Sequence, residues 1–289
     1  MVWGIPYLLI RIAVRQVEPP TLVFLRTGCA AILLLPFAWR AGGRQKLLSH
    51  WRAVVTYTAA ELGVSWLFLF RAEQRLSSSL SGLLIAIVPF VSVALAKATG
   101  RSERLEWSRI AGLLVGLAGV ATLVGVGVRG SQVLSVGEIG VTVVGYAVGP
   151  MVIARYLQSV PAVEVVTASL VLTSLVYAPF GLTHLPKRMS PEVLSSVVVL
   201  VVICTAIAFL AFFALINEVG PERATVVTFV NPAVAIALGV VLLHEPFTLG
   251  VGLGFPLVLA GSFLATRKHR ERSGDDLVTP EHLAPETLR

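Results

Sequence analysis

Residues 78–98 read SSLSGLLIAIVPFVSVALAKA, twenty-one residues whose one charge, Lys97, stands next to the end. As a helix rising 1.5 Å per residue this stretch is about 31 Å long, the thickness of the hydrocarbon layer of a bilayer. Read outward with a window of about 19 residues, the same pattern recurs over the whole chain. The apolar runs are Met1–Val14, Thr21–Trp39, Ala53–Phe70, Ser78–Ala98, Ile110–Val128, Val136–Ala154, Val163–Leu182, Val193–Ile216, Ala224–Leu243 and Leu249–Thr266. The expected fold class is therefore all-α, a polytopic membrane protein with ten transmembrane helices joined by short polar connections such as Arg40–Arg52 and Arg101–Arg109. The charged stretch 267–289 is expected to be a disordered cytoplasmic tail.

Composition agrees. Of 289 residues 56% are apolar and 13% charged, the mean hydropathy is +0.84, and soluble domains carry about 25% charged residues. The only aspartates are Asp275 and Asp276, so the body of the chain has none. Ten spans leave no room for a sizeable extramembrane domain. The absence of any Gly-Lys dipeptide excludes a P-loop, and His244-Glu245 lacks the second histidine of a zinc-protease helix. No cofactor and no metal are expected. A net charge of +7 follows loop-insertion rules before it reports a partner, so nucleic acid is not expected. Cys29 and Cys204 sit in apolar runs without metal-ligand spacing and read as small core residues.

The first run is too short to cross the hydrocarbon and lacks the basic start and cleavage site of a signal peptide, so several residues of that helix are expected to precede Met1. With the N-terminus inside, the cytoplasmic connections and proximal tail hold fourteen Lys and Arg against six on the other side. That asymmetry places both termini in the cytoplasm, and Trp39, Trp51 and Trp107 fall at the cytoplasmic ends of spans. The expected location is the cell (inner) membrane.

The chain repeats itself. At an offset of 143, Trp3-Gly4 falls on Tyr146-Ala147, Pro36-Phe37 on Pro179-Phe180, Phe70 on Phe213 and Pro89 on Pro232. At 142, Glu103 falls on Glu245, Gly112 on Gly254 and Gly119 on Gly261. The division is a first repeat at 1–130 and a second at 131–266. Five spans per copy is an odd number, so the second copy enters the membrane the opposite way round, giving two inverted five-helix repeats. This architecture recurs in secondary transporters, because two equivalent packings open alternately to the two sides.

The quoted stretch carries Val88-Pro89. With Trp3-Gly4, Phe24-Leu25-Arg26, Asn231-Pro232 and Glu245-Pro246-Phe247-Thr248 followed by Gly254 and Gly261, the chain resembles the EamA-type transporters of the drug/metabolite transporter superfamily from Met1 to about Thr266. The resemblance implies a ten-helix secondary transporter, in many members an exporter of amino acids, other metabolites or drugs. It also implies a central cavity lined mainly by the spans other than the fifth and tenth. The chain departs from the pattern in its short first span and in Arg101-Ser102-Glu103, which replaces the apolar approach seen at Leu243-His244-Glu245.

Ionisable groups in hydrocarbon cost about 2.5 to 3.5 kcal/mol at a helix centre, so each invites a functional question. Glu61 lies nine residues past Arg52, near mid-membrane, opposite Cys204 in the repeat. It reads either as a site for a proton or a cationic substrate group, or as a structural carboxylate paired with an arginine. Arg26 is a candidate to pair with Glu61 or to attract a substrate carboxylate, while Arg11 is expected to snorkel to the outer interface. Pro89 and Pro232 each remove a backbone donor and free the carbonyls near Ile85 and Thr228. Both are therefore expected at helix breaks along a wet cavity, with Asn231 facing substrate; the plain alternative is a kink satisfied by a neighbouring Ser or Thr. Trp66, Trp3, Tyr57 and Tyr146 lie within spans, as an aromatic box for substrate or as ordinary core packing. Gly112/Gly116 and Gly250/Gly254 read as packing faces of the fifth and tenth spans, and Gly145/Gly149 has the same spacing.

The expected partners are a small-molecule substrate, a coupling proton and the lipid bilayer, with monomer and homodimer both open. Two rivals stand beside the transporter. A membrane-embedded enzyme acting on lipid needs clustered acids, bases or metal ligands near an interface, whereas the buried ionisable groups here are dispersed. A channel needs rings of like residues along a pore, and the sequence displays none.

Overall fold

The computed structural model describes residues 2–99, 107–127, 130–219 and 231–266. After a single 3-10 turn, α1 (Ile5–Ala13) leads into α2 (Pro19–Ala41), a short surface helix α3 (Arg44–Ser49), α4 (Trp51–Glu73) and α5 (Ser78–Ala98). Then come α6 (Trp107–Gly127), α7 (Gly130–Leu157), α8 (Ala162–Thr183), α9 (Pro191–Leu215), α10 (Asn231–Leu243) and α11 (Leu249–Thr266). Among the described residues there is no strand. Six helices, α2, α4, α5, α7, α8 and α9, are long and apolar enough to cross a membrane, and shorter apolar helices accompany them. The expected tail 267–289, most of the Arg101–Arg109 connection, and Thr228 at the start of the ninth run lie outside the described residues.

Local chemistry sets the ends of these helices. Pro19 and Pro20 open α2, where the missing N–H costs nothing, and Gly42 closes it at φ 72°, a left-handed geometry that suits a residue without Cβ. Ser77 and Ser190 cap α5 and α9 by accepting the amides of Leu80 and Val193. Inside the spans, α4 and α9 each contain a π-helical segment, Thr58–Val64 and Val202–Ile207. Glu61 and Cys204, paired in the sequence repeat, fall in these two segments.

The burial pattern is inverted relative to a soluble protein. Ile32 is 71% exposed and Val241 66%, while Arg26, Glu73, Glu138 and Glu164 are buried together with many Ser and Thr side chains. A surface of large apolar side chains around a partly polar interior is what lipid surroundings require. Trp39 and Trp51 are exposed, as interfacial anchors are. Cys204 is buried, but Cys29 is exposed, which corrects its reading as a core residue: it occupies an outward-facing position on α2.

The packing pairs equivalent helices. α2 lies along α8, α6 along α11, and the first half of α5 along α10. Contacts between non-equivalent helices come in exchanged pairs: α4 with α7 and α1 with α9, α5 with α7 and α10 with α1. Glycine permits the closest of these approaches. On α6 and α11, a Cβ at Gly261 would strike the backbone of Gly112 and Gly116, so the sequence-flagged Gly112/Gly116 face is used.

Gly145 of α7 sits against the Ala60 carbonyl and the Ser65 hydroxyl of α4. Gly145→Ala is therefore expected to push α7 off α4 and to destabilise the protein by about 1–3 kcal/mol, because a backbone carbonyl cannot yield. Gly137→Ala, where nothing lies within 4 Å of the added Cβ, serves as the control and is expected to be neutral or stabilising by about 1 kcal/mol. Thermal unfolding of the two purified variants in detergent compares them directly.

Candidate functional site

The π-helical segment of α4 builds the first part of the site. A π turn inserts one residue into the helical ladder and turns the following side chains out of register. Here it brings the Glu61 carboxylate onto α7, where Gly149 leaves the space it occupies. One carboxylate oxygen, Oε2, is buried without a hydrogen-bond partner. Tyr57, one turn earlier on α4, and Tyr146, on α7, both lie within electrostatic range of Glu61.

Arg26 of α2 is the second part, only 5% exposed. Its guanidinium carbon lies 3.8 Å from the centre of the Trp66 ring and 5.9 Å from that of Phe70, and its Nε donates to Thr205 Oγ1 at 3.0 Å. Tyr146 of α7 neighbours Trp66, Arg26 and Glu61. Stacked on an aromatic face in a desolvated setting, the cation gains about 2 kcal/mol. The expected pairing of Arg26 with Glu61 is thus not what the structure displays. Among the described residues no ion pair joins the two: Arg26 stacks on Trp66 and reaches across to the π-helical segment of α9.

A matching contact lies on the other side of the repeat. Thr58, in the π-helical segment of α4, donates to Ser169 of α8 at 2.8 Å, and Ser169 is 143 positions after Arg26. In both places the second helix of one half meets the π-helical segment of the other half through a threonine hydroxyl. One half contributes an arginine and the other a serine.

Of the candidates read from the sequence, Glu61, Tyr57, Tyr146, Trp66 and Arg26 come together in one connected constellation. Trp3 does not join it: its ring packs on Phe212 at 4.7 Å and on Phe209 at 5.9 Å, in the core-packing role. Asn231 lies where α10 passes Gly4, whose added Cβ would meet the Asn231 carbonyl and Val234, and its Oδ1 is buried without a partner. Pro89 stands in the first turn of the second part of α5, after a break at Ala86–Ile87. Pro232 is in the first turn of α10, and the residues before it lie outside the described ones.

Four carboxylates at helix ends and contacts were not among the site candidates, although Glu245 stood in a motif. Glu138, buried on α7, pairs with Arg71 at 3.0 Å, and Glu164 accepts the amide of Gly43. Glu245 accepts four bonds from the amides and hydroxyls of Ser78 and Ser79. Glu73, the last residue of α4, is fully buried with neither carboxylate oxygen hydrogen-bonded. Arg11 donates to the Glu73 carbonyl, which corrects the expectation that it snorkels to the interface: its guanidinium caps the end of α4. The signal was present, since each of these carboxylates sits inside or within four residues of an apolar run. A cavity of about 320 Å³ opens at this end of the bundle, lined by residues including Arg11, Arg15, Arg75, Gln132, His244 and Glu245.

Comparison with known proteins points one way. The model of the EamA-like transporter family matches residues 1–125 and 139–267. The chain is 29% identical to the uncharacterized inner membrane transporter YedA of Escherichia coli K12 over 247 residues, 83% of this chain and 78% of that protein. An uncharacterized transporter of Archaeoglobus fulgidus is 25% identical over 279 residues, covering 92% of this chain and 95% of its own length. The uncharacterized transporter YvbV of Bacillus subtilis is 24% identical, covering 93% and 90%. A solved crystal structure of 22% identity superposes with a TM-score of 0.64 over 92% of this chain and 95% of its own, which shows a shared fold.

Proposed function

The chain belongs to the EamA-like transporter family, and from that premise we propose that it is a secondary transporter, exporting a small metabolite by alternating access around the Arg26–Trp66–Tyr146–Glu61 constellation. The multi-pass membrane setting rests on the family and on the six long apolar helices. The finer reading is ten spans arranged as two inverted repeats, 1–130 and 131–266, in the inner membrane with both termini cytoplasmic. The observation that carries it is the exchange symmetry of the packing. Equivalent helices pair, and the Arg26–Thr205 and Thr58–Ser169 contacts occupy matching places. Two halves joined this way have two equivalent arrangements, and rocking between them exposes a central site to each side in turn.

The constellation is chemically unequal across that symmetry. It offers a guanidinium for an anionic group, a carboxylate for a cationic group or a proton, and two aromatic faces. This suits a small polar or amphipathic metabolite and uses no cofactor. The family, and not any arrangement in the constellation, is what favours a transporter over an enzyme.

The test is a metabolite panel measured inside and outside cells of a deletion strain and an overexpressing strain. The reading predicts a compound that accumulates inside the first and outside the second, and unchanged panels would overturn it. With that compound in reconstituted vesicles, counterflow separates carrier from channel. Glu61→Gln is expected to abolish pH-driven transport while the protein stays in the membrane, and wild-type uptake by that variant would remove Glu61 from the proton's path.

A further inference from the structure

Glu73 ends α4 in a setting that an ordinary structural carboxylate avoids. It is fully buried, neither oxygen accepts a hydrogen bond, and it lies at a helix C-terminus, where the backbone dipole repels negative charge. An ionised carboxylate without donors is costly to bury unless a cation neutralises it. The nearest guanidinium, that of Arg11, is engaged with the main-chain carbonyl of Glu73 rather than with its side chain. Arg26 of α2 is held by Thr205 and Trp66.

The charged and titratable groups that face the carboxyl group come from every side. They are Arg11 and Tyr7 of α1, Arg26 of α2 and Glu245 at the end of α10. On the α7 side, Glu138 is taken up by Arg71. Arg11 and Glu245 also line the cavity at this end, together with Arg75 and His244. Two of the groups that act on Glu73, Arg11 and Glu245, are thus lining residues of the pocket.

We propose that Glu73 is a proton-exchange site, taking up a proton from the solution in this pocket and releasing it there. The step moves a proton from water to a carboxylate oxygen and back, with no other bond made or broken. In the charged form, Arg11 turns from the carbonyl to the carboxylate and closes the floor of the pocket; in the neutral form it returns to the carbonyl, as observed. This rests on the transporter reading only for its role in the cycle, where Glu73 supplies a coupling ion next to the central site.

The experiment is pH-difference infrared spectroscopy of the full-length protein in lipid nanodiscs, which needs no transported compound. The neutral carboxyl group has its own carbonyl stretch, and its intensity falls about tenfold per pH unit once the group is mainly ionised. The expected result is a titrating band that is lost in Glu73→Gln, retained in Glu61→Gln and Glu245→Gln, and displaced but present in Glu73→Asp. A pH-difference spectrum of Glu73→Gln identical to that of the unsubstituted protein overturns the proposal. Should Glu73→Gln not fold, Glu73→Asp decides alone: a displaced band supports the site and an undisplaced spectrum overturns it. Unchanged metabolite panels would remove the transporter reading and leave this result standing, and the reverse also holds.

Discussion

Arg26→Ala is expected to lower the initial rate of counterflow by about thirtyfold, the equivalent of the roughly 2 kcal/mol that a desolvated cation–π contact contributes. The guanidinium lies 3.8 Å from the Trp66 ring centre and bonds Thr205 across the interface of the two halves. Its loss therefore removes both the charge proposed to hold an anionic group and a tie between α2 and α9. Arg26→Lys separates these effects. An ammonium keeps the charge but has neither the planar face that stacks on indole nor the fixed fork of donors. It is expected to restore a minor part of the rate. Thr205→Val removes only the hydrogen bond and is expected to cost about 1 kcal/mol in stability with transport retained. Rates are normalised to inserted protein in vesicles loaded with the compound found by the metabolite panel. Counterflow by Arg26→Ala at the unsubstituted rate would take Arg26 out of the substrate's path.

How much of this was legible before the structure differs between elements for physical reasons. Ser78–Ala98 and Leu249–Thr266 have the same limits in sequence and structure, because hydrocarbon thickness fixes the length of an apolar helix and charged or turn residues fix its ends. Glu61 and Cys204, which align by offset in the sequence, both fall in π-helical segments. The π geometry itself was not legible, because hydropathy does not distinguish one helical ladder from another. Depth along a span placed Glu61 near mid-membrane, but depth says nothing of azimuth. Trp3 proved to face Phe209 and Phe212, and Arg26 to face Trp66 rather than Glu61. The carboxylates at helix ends escaped because residues such as Glu73 and Glu245 border polar connections, where a charge is unremarkable by composition. Their contacts come from neighbouring helices that no sequence window contains.

Glu245 shows what such a residue does for the fold, and Glu245→Ala is expected to destabilise the protein by about 3 kcal/mol. Its Oε1 accepts from the amide and hydroxyl of Ser78 at 2.7 and 3.0 Å, and its Oε2 from those of Ser79 at 3.0 and 2.6 Å. The two amides belong to the first turn of α5, whose N–H groups have no partner within the helix, and a negative charge there also meets the positive end of the backbone dipole. The chain reaches this position because it reverses at His244, with φ 53°, directly after α10. The second half of the molecule thus supplies the cap for a helix of the first half. Glu245→Gln keeps one accepting oxygen and turns an amide donor toward the remaining donors, so it is expected to recover about half of the loss. If the four bonds act as one unit, adding Ser78→Ala and Ser79→Ala to Glu245→Ala costs less than the serine changes cost alone, a coupling of about 1–3 kcal/mol. Thermal unfolding of the purified variants in detergent reads all of these. Additive costs, or a Glu245→Ala protein within about 0.5 kcal/mol of the unsubstituted one, would mean that water caps α5 as well as Glu245 does and that the halves are not clamped at this point.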